Sequence, residues 1–99
     1  MLPRVKLQFA LNLPLEFRRV GAELWQSGYT EKMGSSGVLF RAVELVEPQS
    51  QIEMVFRMPV SDPCSLVCTG TVLRVDLPPK AGMLPAISAT IDRYSFVRL

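Results

Sequence analysis

The residues best placed to do chemistry in this chain lie in one short stretch, EKMGSSGVLF, from Glu31 to Phe40. Two glycines, Gly34 and Gly37, bracket the pair Ser35 and Ser36, with Lys32 just ahead of them. Glycine at both ends gives more backbone freedom than a simple chain reversal needs. Two readings follow. Either the stretch is a hairpin turn whose glycines take positive φ, or it is a turn that presents serine hydroxyls to a ligand.

The rest of the chain is poor in reactive groups. Histidine is absent, which removes the commonest general base and the commonest metal ligand. Cys64 and Cys68 are the only thiols. Their C-x-x-x-C spacing without histidine is not a zinc set. Within one strand they would stand roughly 13 Å apart, too far for a disulfide. They read as small apolar residues in a reducing compartment. The nine acidic residues are scattered, and there is no G-x-S-x-G and no phosphate loop. No enzyme activity, metal site or cofactor is expected.

Eleven basic residues against nine acidic give a net charge of +2, too balanced to indicate a nucleic-acid polymer as partner. The chain has one Trp, two Tyr and five Phe, none interleaved with a basic run. This weighs against a barrel that stacks single-stranded nucleic acid. Apolar residues make up 48% of the 99, and mean hydropathy is +0.24. That is high for so short a chain: either the core is dense, or a protein partner, a neighbouring domain or self-association covers part of the surface. No run of about 18 apolar residues occurs. Arg4, Lys6, Gln8 and Asn12 interrupt the apolar start, so no signal-peptide core forms and a cytoplasmic location is expected.

The elements that position the glycine–serine turn alternate with a period of two. Leu11, Leu13, Leu15 and Phe17 share one face, as do Ile52, Met54, Phe56 and Met58, and Ile87, Ala89 and Ile91. Pro14 lies inside the first of these segments, which makes that segment an edge or leaves the proline outside the ladder. Turn signals separate the segments, among them QSGYT, EPQS, SDPC and LPPKAGMLP. One short helical candidate is Arg18 to Gln26. About six strands with no long helix predict an all-β fold. Gly70, in the middle of Ser65–Val75, suits a strand that bends at a barrel corner, and closure removes exposed edges. The expected architecture is a small six-stranded antiparallel β-barrel filling one domain, residues 1–99.

The order of these pieces is the distinctive feature. An arginine-bearing start leads into a strand, then KMGSSGVLFRA, EPQSQIEMVFRMP, CTGTVLRVD and ISATIDRYSF. From Pro3 to about Phe96 this order resembles the PilZ domain, a six-stranded barrel of bacterial cyclic di-GMP signalling. The resemblance implies two ligand motifs. The first is an arginine pair spaced by three residues before the first strand. Here Arg4 matches it and Gln8 does not. The second is Asp or Asn, any residue, Ser, two residues, Gly. Aligned on Gly37, its first position is Lys32 and its serine position is Gly34, with Ser35 and Ser36 one step away.

Glutamine cannot replace arginine's charged fork on phosphate, and lysine cannot accept from a guanine edge. Each well-made contact is worth roughly 1–3 kcal/mol. Lys6, Arg18, Arg19 and Lys32 are candidates to supply charge from new positions. The implied function is a nucleotide-sensing or regulatory module with cyclic di-GMP as its possible ligand. The alternative is a ligand-free adaptor that binds a partner protein through its barrel surface. Trp25 is read as a plug at one barrel end. Arg41 is expected to pair with Glu44, Glu53 or Asp92.

Overall fold

A computed structural model of the protein describes residues 12–58, 64–78 and 80–98. These residues form seven strands: β1 Pro14–Arg19, β2 Gln26–Met33, β3 Gly37–Ala42, β4 Gln51–Arg57, β5 Cys64–Asp76, β6 Ala86–Thr90 and β7 Arg93–Arg98. All neighbours are antiparallel, in the order β4-β1-β2-β3-β6-β5-β7, and β5 also pairs with β4. The first six strands therefore close into a ring, and β7 stands outside it. The all-β, six-stranded antiparallel barrel expected from the alternating pattern is the fold observed, with β7 added to it.

The alternation translates directly into an inside and an outside. Phe17, Phe40, Ile52, Met54, Phe56, Val72 and Ile87 lose all solvent exposure. Each such side chain contributes about 1.5–3 kcal/mol by leaving water. The rings of Phe17 and Phe40 lie 5.0 Å apart, tilted by 55°. Pro14 opens β1, so its missing N–H costs no internal ladder bond, and β1 is a central strand paired with both β2 and β4. Among the described residues no helix is long and apolar enough to cross a membrane.

Two expectations are corrected. The helical candidate Arg18–Gln26 is instead the end of β1, a turn and the start of β2. Arg18 and Arg19 pair with Glu53 and Ile52 of β4, and Gly21 takes a φ of 92° with the Ala22 N–H donating to the Arg19 carbonyl. Ladder pairing and a left-handed glycine override the local helical preference. The final piece, ISATIDRYSF, whose alternation predicts a single last strand, is instead two strands. It breaks at Ile91–Asp92, because β6 pairs with β3 and the second half of β5, whereas β7 pairs only with the first half of β5.

That break sits over Gly70, where β5 turns the barrel corner. The Asp92 N–H donates to the Thr69 carbonyl, the Thr71 N–H donates to Thr90 Oγ1, and Thr90 Oγ1 donates to Asp92. A Cβ on Gly70 would stand 1.8 Å from the Thr90 carbonyl oxygen. Close backbone approach, not φ, demands this glycine.

Cys64 and Cys68 are both free thiols on β5. Burial pushes the Cys68 thiol from 9.0 up to about 12, because the interior disfavours the thiolate. Between those two values the unfolded chain releases a proton that the folded chain keeps, so stability falls as pH rises through this window. Alkaline unfolding titrations should show a loss of about 1.4 kcal/mol per pH unit above pH 9 in the native protein. Cys68→Ala should remove that slope; an unchanged slope in the variant would exclude Cys68 as its source.

Candidate functional site

The antiparallel order gives the barrel two poles. At one lie the β2–β3 turn, the end of β4, the start of β5 and β7. At the other lie the β1–β2, β3–β4 and β5–β6 loops. The glycine–serine turn belongs to the first pole. Met33 and Val38 close the β2–β3 ladder, and the Gly34 N–H donates to the Gly37 carbonyl at 2.9 Å. The Ile91 N–H donates to the Ser36 carbonyl at 3.0 Å, tying the turn to the β6–β7 break. The side chains of Ser35 and Ser36 are left exposed.

The two glycines of the turn do not take positive φ, contrary to the hairpin expectation. Among the described residues the left-handed glycines are Gly21 and Gly82. Gly37 lies close against β6: a Cβ there would stand 3.2 Å from the Ala89 carbonyl oxygen, a tight contact that the strand would have to ease by a few tenths of an ångström.

The turn lies between two hollows. One, of about 230 Å³, is lined by Lys32 through Leu39. The other, of about 110 Å³ and largely apolar, is walled by Met33, Gly34 and Ser35 on one side and by Leu66, Ile91, Tyr94 and Phe96 on the other. Tyr94 and Phe96 meet edge-on at 6.4 Å. Opposite Cys68 and Leu66 in the ladder, they continue the core face of β5 beyond the ring, where nothing among the described residues covers it. Sequence reasoning did not single them out, although Tyr94 and Phe96 alternate along the last strand.

Of the expected site residues, Lys32, Gly34, Ser35, Ser36 and Gly37 come together at this turn. Arg4, Gln8 and Lys6 lie outside the described residues. The chain nevertheless enters the barrel at this pole: the Leu13 N–H donates to Thr30 Oγ1 and the Thr30 N–H donates to the Leu13 carbonyl, both at 2.9 Å. Lys32 and Arg57 are exposed at strand ends of the same pole.

Arg18 and Arg19 cannot supply charge to the turn. They end β1 at the far pole, roughly 20 Å away along the strands. Arg18 Nη2 is 3.2 Å from Glu53, and its guanidinium lies 4.2 Å from the centre of the Trp25 ring. Trp25 is accordingly no buried plug; it stacks on Arg18 and remains 36% exposed. Arg41 also has a different partner from those expected. It holds Glu31 at 2.7 Å and the Leu84 carbonyl at 2.8 Å. A register shift between Thr30 and Lys32 takes Glu31 out of the ladder and beside Arg41.

No family model matches the chain. No curated protein matches it. Among solved structures, the fold is shared with the Bacillus subtilis inhibitor of motility MotI/DgrA, at a TM-score of 0.74 and 11% identity. The match covers 96% of this chain and 45% of that one, so the chain spans less than half the length of that protein.

Proposed function

We propose that the chain is a PilZ-like regulatory module of bacterial cyclic di-GMP signalling, cytoplasmic and without catalytic activity, whose ligand face is the Gly34–Gly37 turn. One observation carries this reading: the exposed serine turn lies at the barrel pole where the chain enters β1, downstream of Arg4. In the PilZ family the arginine motif precedes the first strand and the serine–glycine motif forms this turn. Lys32 and Arg57 favour an anion at this pole, and the apolar wall of Tyr94 and Phe96 suits a planar base. The fold shared with an inhibitor of motility is in keeping with a regulatory role. As a module of this kind the chain also meets a protein partner or neighbouring domain, which fits its many exposed apolar side chains.

Calorimetric titration of the protein with cyclic di-GMP tests the ligand. At a concentration of 100 times the dissociation constant the ligand should stabilise the fold by about 2.7 kcal/mol. That corresponds to a rise of roughly 10 °C or more in thermal midpoint. Neither heat nor a shift at millimolar ligand would remove the nucleotide from the proposal.

A further inference from the structure

The pole opposite the serine turn carries an exposed apolar surface with an acidic rim. Leu24 is 76% exposed, Val43 70% and Leu45 52%. Leu24 and Leu45 line one groove of about 200 Å³ between the β1–β2 and β3–β4 loops, with Phe17 at its floor. Side chains this apolar and this exposed, gathered on adjacent loops, mark an interaction surface rather than scattered exposure. Trp25, held over the Arg18 guanidinium, adds an aromatic anchor of the kind that dominates binding energy at interfaces.

Charge identifies the occupant. Glu44 lines the groove, and Glu23 and Glu47 adjoin residues that do. All three are exposed. The salt bridges among the described residues are Arg18–Glu53, Arg41–Glu31 and Arg74–Asp76, so none of the three carboxylates is engaged in one. Arg18 is paired with Glu53, which leaves Arg19 at the groove and Lys80 on the β5–β6 loop against the three carboxylates. The rim formed by the β1–β2 and β3–β4 loops is therefore weakly acidic on a chain whose net charge is +2. An apolar groove with an acidic rim disfavours an anionic lipid surface and favours a cationic apolar ligand. Its rim is formed by loops, and its strand residues belong to β1 and β2, which are paired on both sides, so a partner meets it with side chains and not by strand addition.

We infer that the groove between the β1–β2 and β3–β4 loops docks a basic amphipathic helical segment of a partner protein, with Leu24, Trp25 and Leu45 taking its apolar stripe and Glu23, Glu44 and Glu47 its flanking cations. This rests on the partner half of the proposed function and is independent of whether the opposite pole binds a nucleotide.

The test uses the whole chain and a synthetic leucine–lysine peptide of ~18 residues that forms one amphipathic helix. Trp25, the only tryptophan, reports binding by its emission. The expected result is saturable binding that weakens as salt rises. Leu24→Ser with Leu45→Ser, and separately Glu23→Lys with Glu44→Lys, should each raise the dissociation constant about tenfold or more. These positions are exposed, so the thermal midpoints should stay near that of the parent.

Binding that survives both pairs but is lost in Tyr94→Ser with Phe96→Ser would overturn the assignment of the groove and leave a protein partner standing. No binding at all would overturn both. Equal binding of a leucine–glutamate peptide, or binding to phosphatidylglycerol vesicles, would overturn the charge assignment. A concentration-dependent dimer that Leu24→Ser with Leu45→Ser abolishes would identify a second copy of this chain as the occupant and overturn the inference.

Discussion

Gly70→Ala is expected to be the most damaging single-methyl change in the barrel. The added Cβ would lie 1.8 Å from the Thr90 carbonyl oxygen, 2.9 Å from its carbonyl carbon and 3.1 Å from the end of the Met54 side chain. Met54 can turn aside. The Thr90 backbone cannot, because it is fixed on both sides: β6 is laddered to β3 through Thr90 and to β5 through Ala89, and the Asp92 N–H holds the Thr69 carbonyl just beyond it. Relief requires opening the β5 corner where the ring closes. A cost of roughly 3 kcal/mol or more follows, lowering the thermal midpoint by roughly 15 °C for a domain of this size. Gly21→Ala is the internal comparison: nothing lies within 4 Å of the position of its Cβ, and only its left-handed φ is penalised, at about 1 kcal/mol. Melting curves followed by circular dichroism decide the matter. Equal midpoints for the two variants would mean that the corner is not the rigid element of the ring.

The second large effect concerns the proposed ligand face. The triple change Gln8→Arg, Lys32→Asp and Gly34→Ser brings in the PilZ motif residues this chain lacks. It restores a phosphate fork, a guanine acceptor and a hydroxyl, each worth roughly 1–3 kcal/mol when well made. Cyclic di-GMP affinity should rise about a hundredfold or more over the parent chain in calorimetry. The geometry permits the changes. Gly34 is not in the left-handed region, so serine is not excluded there by φ, and Lys32 is exposed beside a register shift that already loosens the ladder. A repaired chain that melts like its parent yet gains no affinity would show that the serine turn is not a dinucleotide site.

The core was legible in the sequence because period-two alternation is dictated by the strand itself. Ile52, Met54 and Phe56 could be placed on one face before any pairing was known, and all three are fully buried. Gly70 was legible for a related reason: a glycine amid valines and threonines has no local use except to let backbone pass closely. What failed to read through depends on non-local partners. A bulge at Glu31 decides what Arg41 holds. A switch of partner along β5, from β7 to β6, splits the last strand. Trp25 takes its place from an arginine on the neighbouring strand. Positive φ does not explain the glycines of the serine turn, whereas a close approach to β6 favours a small residue at Gly37. For the site itself, the turn was visible as residues, whereas the Tyr94–Phe96 wall became visible only once β7 was seen to hang beside it.

β7 hangs there by one seam. Its ladder is to β5 alone, and every one of its residues is exposed. The ring of six closes through β4 and β5 without it. Unzipping β7 therefore sacrifices no contact of the closed shell, and the wall of the apolar hollow can swing away while the cylinder behind it stays whole. Shape at the serine turn and integrity of the scaffold are thereby uncoupled, so that changes in residues 93–98 can alter the hollow without weakening the shell behind it.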